Sequence, residues 1–143
     1  MRRWAKWLVR VAFAAVFVVN VQCALQFVLW PGDFAAAYEL SGVPGEAAVR
    51  GIGIAFLMWN VTYPPVIVSP ERFRSLGWVV LVQQLVGLVG ESLLLATLPS
   101  GHDVLAASVL RFVAFDGAGL VLMGAAWACA IATARRPLGV QNT

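Results

Sequence analysis

The pattern of apolar and polar residues divides the chain into four long apolar runs separated by short polar segments. The runs cover about residues 7–30, 49–68, 76–98 and 104–133. An α-helix rises 1.5 Å per residue and the hydrocarbon core of a bilayer is about 30 Å thick, so roughly 20 apolar residues are enough to cross it. The sequence therefore predicts a single domain, residues 1–143, with four transmembrane helices.

Turn-forming residues mark the ends of these runs. Proline and glycine clusters occur at residues 31–32, 42–45, 64–65, 70 and 99–101. Proline ends helices because it lacks the backbone N–H and clashes with the preceding turn. Short connections place successive helices side by side in opposite directions. We therefore expect an all-α membrane protein in which four transmembrane helices form an antiparallel bundle.

The charged residues beside the runs predict an orientation. Basic residues flank the first run, the second connection and the end of the fourth run: Arg2, Arg3, Lys6, Arg10, Arg72, Arg74, Arg135 and Arg136. The other two connections carry acidic residues, namely Asp33, Glu39, Glu46 and Asp103. Because basic residues stay on the cytoplasmic side, both termini are expected on the cytoplasmic side of the cell inner (plasma) membrane.

The first outer connection has the pattern of a short helix. Asp33 is placed to cap its N-terminus, and Gly42 is placed to end it in a left-handed conformation. Phe34 and Tyr38 on this helix would lie at the level of the lipid headgroups. We interpret the segment as an interfacial helix. A lid over a site that opens to the outside is the alternative.

Composition agrees with a membrane domain rather than a soluble one. Hydrophobic residues make up 61% of the chain and charged residues 12%, whereas soluble domains have roughly 45–50% and about 25%. The net charge of +3 comes from basic residues beside apolar runs, so the expected partner is the lipid bilayer and not nucleic acid. The first run resembles a signal peptide but lacks a clear cleavage site, so we expect it to remain as a span.

Several polar residues interrupt the apolar runs and are the candidate site residues. They are Glu91, Arg111, Asp116, Asn60, Gln22 and Gln84. Ionisable groups inside a bilayer cost about 2.5–3.5 kcal/mol each on insertion scales, so they usually face the bundle interior and have partners. Two hypotheses follow: a hydrogen-bond and ion-pair network that fixes the register of the helices, or a binding site or proton path.

Depth along the helices favours an ion pair between Glu91 and Arg111. Measured from their outer ends, the two residues lie level with each other, at about 10–13 Å. Measured from the inner ends, Asp116 comes nearer to Glu91 instead. Arg111 lies about 140° away from Asp116 around the same helix, so a role for Arg111 at a partner subunit or at the outer interface stays open.

The sequence contains no phosphate-binding loop, nucleophile elbow or Cys-x-x-Cys pair, which favours a non-enzymatic role with no catalytic residue. A single histidine and two well-separated cysteines predict no metal site. The leading hypothesis is a small accessory or structural subunit of a membrane assembly, as a homo-oligomer or within a larger complex. The alternatives are a small oligomeric transporter or channel that uses the intramembrane carboxylates, and a membrane protein that binds a lipid or quinone.

In its plan of four spans with a longer first outer connection, the chain resembles the small bacterial four-helix membrane proteins known as DoxX-like. The part that carries the resemblance is residues 34–49, in which Gly42-Val43-Pro44-Gly45 leads into a run that begins with Gly51 and Gly53. The resemblance covers most of the chain but includes no diagnostic motif. It implies a membrane redox accessory role linked to quinone, and it assigns no functional residue.

Overall fold

The computed structural model describes residues 1–135, which form a series of helices without a strand in that range. These are α1 (Arg3–Leu29), α2 (Gly32–Ala35), a 3₁₀ helix (Ala36–Tyr38), α3 (Gly42–Asn60), α4 (Tyr63–Val68), α5 (Arg74–Thr97) and α6 (Asp103–Arg135). Four helical units are long and apolar enough to cross a membrane: α1, α3 with α4, α5, and α6. The predictions of an all-helical chain and of four such helices are confirmed.

The second helical unit begins earlier than its apolar run. The apolar run starts near residue 49, whereas α3 starts at Gly42. Gly42 has a φ of 65°, a left-handed conformation that glycine adopts without steric cost. The first two turns of α3 therefore lie before the apolar run and carry one polar side chain, that of Glu46. Of the basic residues used to predict orientation, Arg136 lies outside the described part of the chain.

A break divides the second unit into α3 and α4. Pro64 and Pro65 have no backbone N–H, so the helical hydrogen bonds to Asn60 and Val61 cannot form. Thr62, in the break itself, has its hydroxyl oxygen 3.0 Å from both the carbonyl oxygen of Trp59 and Gln83 Oε1. Non-helical backbone at membrane depth is tolerated where it is buried in protein or lines a cavity. The break is therefore a feature that often accompanies a functional cavity in a membrane protein.

α1 is the central helix of the packing. It packs against α3, α4 and α6, while α5 packs against α6 and α4. Within residues 1–135, α3 and α5 are not among the closely packed pairs. At Gly53, α3 approaches α1 so closely that a Cβ atom would lie 2.8 Å from the carbonyl oxygen of Ala24. Small residues permit such close approach between membrane helices.

Ion pairs and hydrogen bonds at the two ends of the bundle link segments that are distant in sequence. Lys6 Nζ lies 2.7 Å from Glu71 Oε2, at the end that we name the basic end. Arg10 donates to the carbonyl oxygen of Val68 at 2.7 Å nearby. At the other end, named the acidic end, Glu39 pairs with His102. At the basic end these contacts link α1 to α4 and to the residue Glu71 after it, and at the acidic end they link the first connection to the residues before α6.

The core is denser toward the basic end. Phe13, Tyr63, Met123 and Trp127 are fully buried there and form one cluster with their neighbours. The Phe13 ring lies 5.7 Å from the Trp127 ring and 6.3 Å from the Tyr63 ring, measured between centroids. Aromatic pairs at such distances add to the stabilisation by burial. The smaller cluster toward the acidic end leaves internal space.

The close contact at Gly53 yields a stability prediction. Gly53→Ala would place a methyl group 2.8 Å from both the Ala24 carbonyl oxygen and the Phe27 Cβ, so α1 and α3 must separate. We expect a loss of about 1–3 kcal/mol in the free energy of unfolding, as for other overpacked positions. Equilibrium unfolding in mixed micelles, followed by circular dichroism, measures it.

Gly51→Ala is the matched control on the same helix, because a Cβ atom there meets nothing within 4 Å. We expect no loss of stability, since alanine is the better helix former. Equal losses for the two variants would contradict the packing of α1 on α3.

Candidate functional site

A chain of hydrogen bonds crosses the bundle at the level of the break between α3 and α4. The hydroxyl of Tyr63 donates to Gln84 Oε1 at 3.1 Å. Gln84 Nε2 in turn donates to Asp116 Oδ1 at 2.7 Å. The chain joins α4, α5 and α6, and Gln84 is almost fully buried. Hydrogen bonds between groups buried in a membrane span do not compete with water, so this chain fixes the amide of Gln84.

Glycines on α5 and α6 make room for this chain. The carboxylate of Asp116 lies against the backbone of α5 at Gly87, where any side chain would clash with Asp116 Oδ2. On α6, a Cβ atom at Gly119 would lie 3.1 Å from Gln84 Nε2. At Gly90 on α5 and Gly124 on α6, by contrast, a Cβ atom meets nothing within 4 Å.

Beside this chain lies a small cavity of about 50 Å³ that contains two carboxyl groups. Glu91 and Asp116 both line it, together with Asn60 and Gln84. Among the described residues, neither Glu91 Oε2 nor Asn60 Oδ1 has a hydrogen-bond partner, although both atoms are buried. The amide oxygen of Asn60 is an acceptor, and so is the Glu91 carboxyl group when it is ionised. Leaving such buried polar atoms unpaired is costly.

Arg111 does not form the ion pair with Glu91 that depth along the helices had favoured. Within residues 1–135 no such pair is present, and Arg111 Nε donates to the carbonyl oxygen of Ala107 at 3.3 Å. The reason is helical phase, because Arg111 lies about 140° around α6 from Asp116. The other arrangement left open by the sequence, with Asp116 beside Glu91, is the one in the structure.

A second and larger cavity, of about 220 Å³, lies toward the acidic end. It is mainly aromatic, lined by Phe27, Phe34, Tyr38, Phe56, Phe112 and Phe115. Its few polar or polarizable groups come from Asn20, Cys23, Tyr38, Ser108 and Arg111. Four residues line both cavities: Asn20, Phe56, Phe112 and Phe115. The aromatic cavity therefore adjoins the carboxyl-bearing one, with no more than a side chain between them.

The first connection covers the aromatic cavity, and it differs in detail from the prediction. The short helix begins at Gly32 without a side-chain cap, so Asp33 is an exposed first-turn residue instead of the N-cap. The left-handed residue that ends the segment is Glu39, with φ 56°, and not Gly42. Phe34 and Tyr38 point into the cavity, whereas an interfacial anchor would turn them toward lipid.

Contacts with the start of α6 hold this cover in place. The carboxylate of Glu39 binds His102 and accepts a hydrogen bond from the backbone N–H of Leu105 at 3.3 Å. Ser108 Oγ donates to the carbonyl oxygen of Ala37 at 2.7 Å. The hydrogen bond from His102 holds the pKa of the Glu39 carboxyl below its usual value. Glu39 makes these bonds from a left-handed backbone conformation, which is uncommon for a residue with a side chain.

Tyr38 brings a hydrogen-bond donor to the aromatic cavity. Burial raises the pKa of its phenol above the ordinary value, so the hydroxyl group stays protonated at neutral pH. Arg111, on the same cavity, carries donors only. The acidic-end side of the site thus has donors on Tyr38 and Arg111, and the Glu91 side has two buried oxygen atoms that lack a partner among the described residues.

The structure brings together four of the six candidate residues in the spans, namely Asn60, Gln84, Glu91 and Asp116. Arg111 lines the adjoining cavity. Gln22 is outside both, because it lies exposed on the outward face of α1. Sequence reasoning did not single out Tyr63, whose position beside two prolines inside a predicted span was a signal. Within residues 1–135, no group of three His, Cys, Asp or Glu is arranged to hold a metal ion.

No protein-family model, curated protein or solved structure matches this chain. The resemblance to DoxX-like proteins therefore stays a prediction.

The tie between Glu39 and His102 predicts a pH-dependent stability. Because the pKa of Glu39 is lowered in the folded chain, its ionised form stabilises the fold above the ordinary glutamate pKa. That contribution is lost as the pH falls through the lowered value. We expect Glu39→Gln to lower the melting temperature at pH 7. The difference from wild type should shrink on titration toward about pH 3.

Glu46→Gln is the control, because Glu46 is an exposed acid in the same region without an ion pair within residues 1–135. Melting temperatures in micelles across the pH series provide the comparison. A gap between wild type and Glu39→Gln that does not change with pH, or an equal effect at Glu46, would argue against the tie.

Proposed function

We propose that this membrane protein binds a small, lipid-soluble molecule with a polar end, of the quinone or lipid class, in the two adjoining cavities. The observation that carries the proposal is the aromatic cavity of about 220 Å³ that shares four lining residues with the carboxyl-bearing cavity. Ligand sites are typically apolar cavities with a few convergent polar groups. An engineered cavity of about 150 Å³ holds benzene, so this volume is sufficient for one substituted ring.

The polar groups favour one chemical form of the ligand. Glu91 Oε2 and Asn60 Oδ1 are buried oxygen atoms that no group in residues 1–135 hydrogen-bonds, so they favour a ligand that donates hydrogen bonds at that end. A hydroxyl group on a ring, as in a hydroquinone, supplies such a donor. Tyr38 and Arg111 at the far side supply donors for a second oxygen. A ring with oxygen atoms at both ends matches this distribution better than an aliphatic lipid.

The packing of the helices supports access from the bilayer. Asn60 on α3 and Glu91 on α5 face each other across the small cavity. Within residues 1–135 these two helices are not a closely packed pair. A hydrophobic tail attached to the ring therefore has a route outward between α3 and α5, where lipid chains would surround it.

Binding of a short-chain benzohydroquinone to the full chain in lipid nanodiscs tests the proposal. Cys23→Trp fills the aromatic cavity with a larger ring, and we expect it to weaken binding roughly tenfold or more, which is about 1.4 kcal/mol. Cys129→Trp is the matched control, because Cys129 is the second half-buried free cysteine and does not line the cavity. Isothermal titration calorimetry measures both.

The same titration with the oxidised benzoquinone tests the polarity of the site. Wild type should bind the hydroquinone more tightly, and Glu91→Leu, which removes the acceptor, should abolish the preference. Absence of saturable binding to either form, or equal weakening by the two tryptophan variants, would overturn the proposal.

The hypotheses of an accessory subunit and of an oligomeric transporter stay predictions. The transporter hypothesis uses the same two carboxyl groups, Glu91 and Asp116. Ligand binding is preferred because it also accounts for the aromatic cavity beside them. An accessory role is compatible with ligand binding, since a small subunit can deliver or hold a quinone for a larger assembly, as the DoxX-like resemblance implies.

We propose the finer topology as part of the same account: an antiparallel bundle with both termini on the cytoplasmic side of a bacterial inner membrane. Two contacts at opposite ends of the bundle support it. Lys6 near the start of α1 contacts Glu71 in the connection between α4 and α5, and Glu39 in the first connection contacts His102 just before α6. Basic residues gather at the first of these ends. Arg50 departs from that pattern, and its Nε donates to the carbonyl oxygen of Val28 at 3.2 Å.

A further inference from the structure

Two amide side chains lie on the side of α1 that faces away from the site. Gln22 is exposed, and Gln26, one turn later, is half-buried. Both line a shallow groove of about 450 Å³ on the surface of α1. Within the described part of the chain neither side chain has a hydrogen-bond partner. Each amide has two N–H donors and one acceptor oxygen to satisfy.

Their depth places these amides against hydrocarbon. Measured along α1 from Trp30, Gln26 lies about 6 Å and Gln22 about 12 Å into the span. No water at that depth satisfies an amide, and a polar group without a partner in an apolar medium is costly. Polar side chains in membrane helices therefore usually bond to another helix. No helix within residues 1–135 covers this face of Gln22.

The residues around Gln22 form a continuous outward stripe along α1. Its positions repeat every three or four residues, and all six are exposed: Val11, Ala15, Val18, Gln22, Leu25 and Leu29. This spacing is that of the seam between two supercoiled helices. Ala15 is small and permits close approach of a second helix, and a single polar residue in such a seam fixes register and partner number.

We propose that this stripe, the α1 seam, is the contact surface between two copies of the chain in the membrane. A primary amide complements itself, because the N–H of one Gln22 can donate to the oxygen of the other, and the reverse. Parallel α1 helices related by a twofold axis along the membrane normal bring identical residues opposite each other. The seam lies away from both cavities, so each copy keeps its own site.

Hydrogen-bond matching favours a second copy over a different membrane protein. The seam carries no charged residue between Val11 and Leu29, so it offers no electrostatic feature for an unlike partner. Its one exposed polar group is satisfied by the same group on an identical chain. The remaining positions are aliphatic and supply van der Waals packing.

Resonance energy transfer between labelled copies of the full chain in nanodiscs or liposomes measures the association. We expect Gln22→Leu to weaken self-association roughly tenfold, within the range measured for interhelical hydrogen bonds in membranes. Gln83→Leu is the matched control, because it removes an amide that is bonded inside the same chain, to Thr62 at 3.0 Å. That variant should associate as wild type does.

Cysteine cross-linking locates the interface independently, in a background with Cys23→Ser and Cys129→Ser. Val18→Cys should form a disulfide-linked dimer on oxidation, whereas Val121→Cys, at a position 72% exposed on α6, should not. Self-association of Gln22→Leu equal to wild type would overturn the proposal. So would a strictly monomeric chain, or a Val18→Cys cross-link to a different protein only.

Discussion

The bonding between Gln84 and Asp116 is the interaction on which the rest of the site depends. Inside a bilayer a polar group has no water to bond, so it needs a partner within the protein. Gln84 Nε2 lies 2.7 Å from Asp116 Oδ1, and the same amide accepts from Tyr63. This fixes the relative positions of α4, α5 and α6. It also occupies the donors of Gln84, so these donors do not bond Glu91 Oε2 or Asn60 Oδ1, which have no partner in the described part of the chain.

The two prolines after Asn60 prepare this arrangement. Because they end α3 and start α4, Tyr63 is carried across the bundle toward Gln84, and Asn60 remains beside Glu91. The basic half of the bundle is filled by large buried side chains. The acidic half has an aromatic cavity that the first connection covers, held down by Glu39. The densely packed basic half of the bundle thus holds in place the half that contains the cavity, and binding sites are more exact when rigid elements support them.

The sequence predicted the helices well because runs of about 20 apolar residues are typical of transmembrane helices. It also selected Asn60, Gln84, Glu91 and Asp116, since ionisable and amide groups in a span usually face inward. Gln22 shows where that rule fails. It lies two residues after Asn20, which is about 200° around the helix, so one lines a cavity and the other faces outward.

Long-range pairs were beyond the reach of sequence patterns. Glu39 and His102 are 63 positions apart, and no local signal indicates that the first connection lies over the start of α6. The position of Arg111 around α6 decides its contacts more than its depth along the helix does. It directs the guanidinium group toward the aromatic cavity and away from Glu91. The cavities themselves depend on which aromatic rings fail to fill the space between helices, and composition does not determine that.

A structure of the chain in lipid nanodiscs with a bound hydroquinone tests the central claim most directly. We expect ligand density from beneath Tyr38 to the carboxyl-bearing cavity, with a ligand hydroxyl within hydrogen-bond distance of Glu91 Oε2. Arg111 would remain on the side of the aromatic cavity. Density confined to the outer surface, with Arg111 turned inward to pair with Glu91 and the cavities filled by side chains, would contradict it.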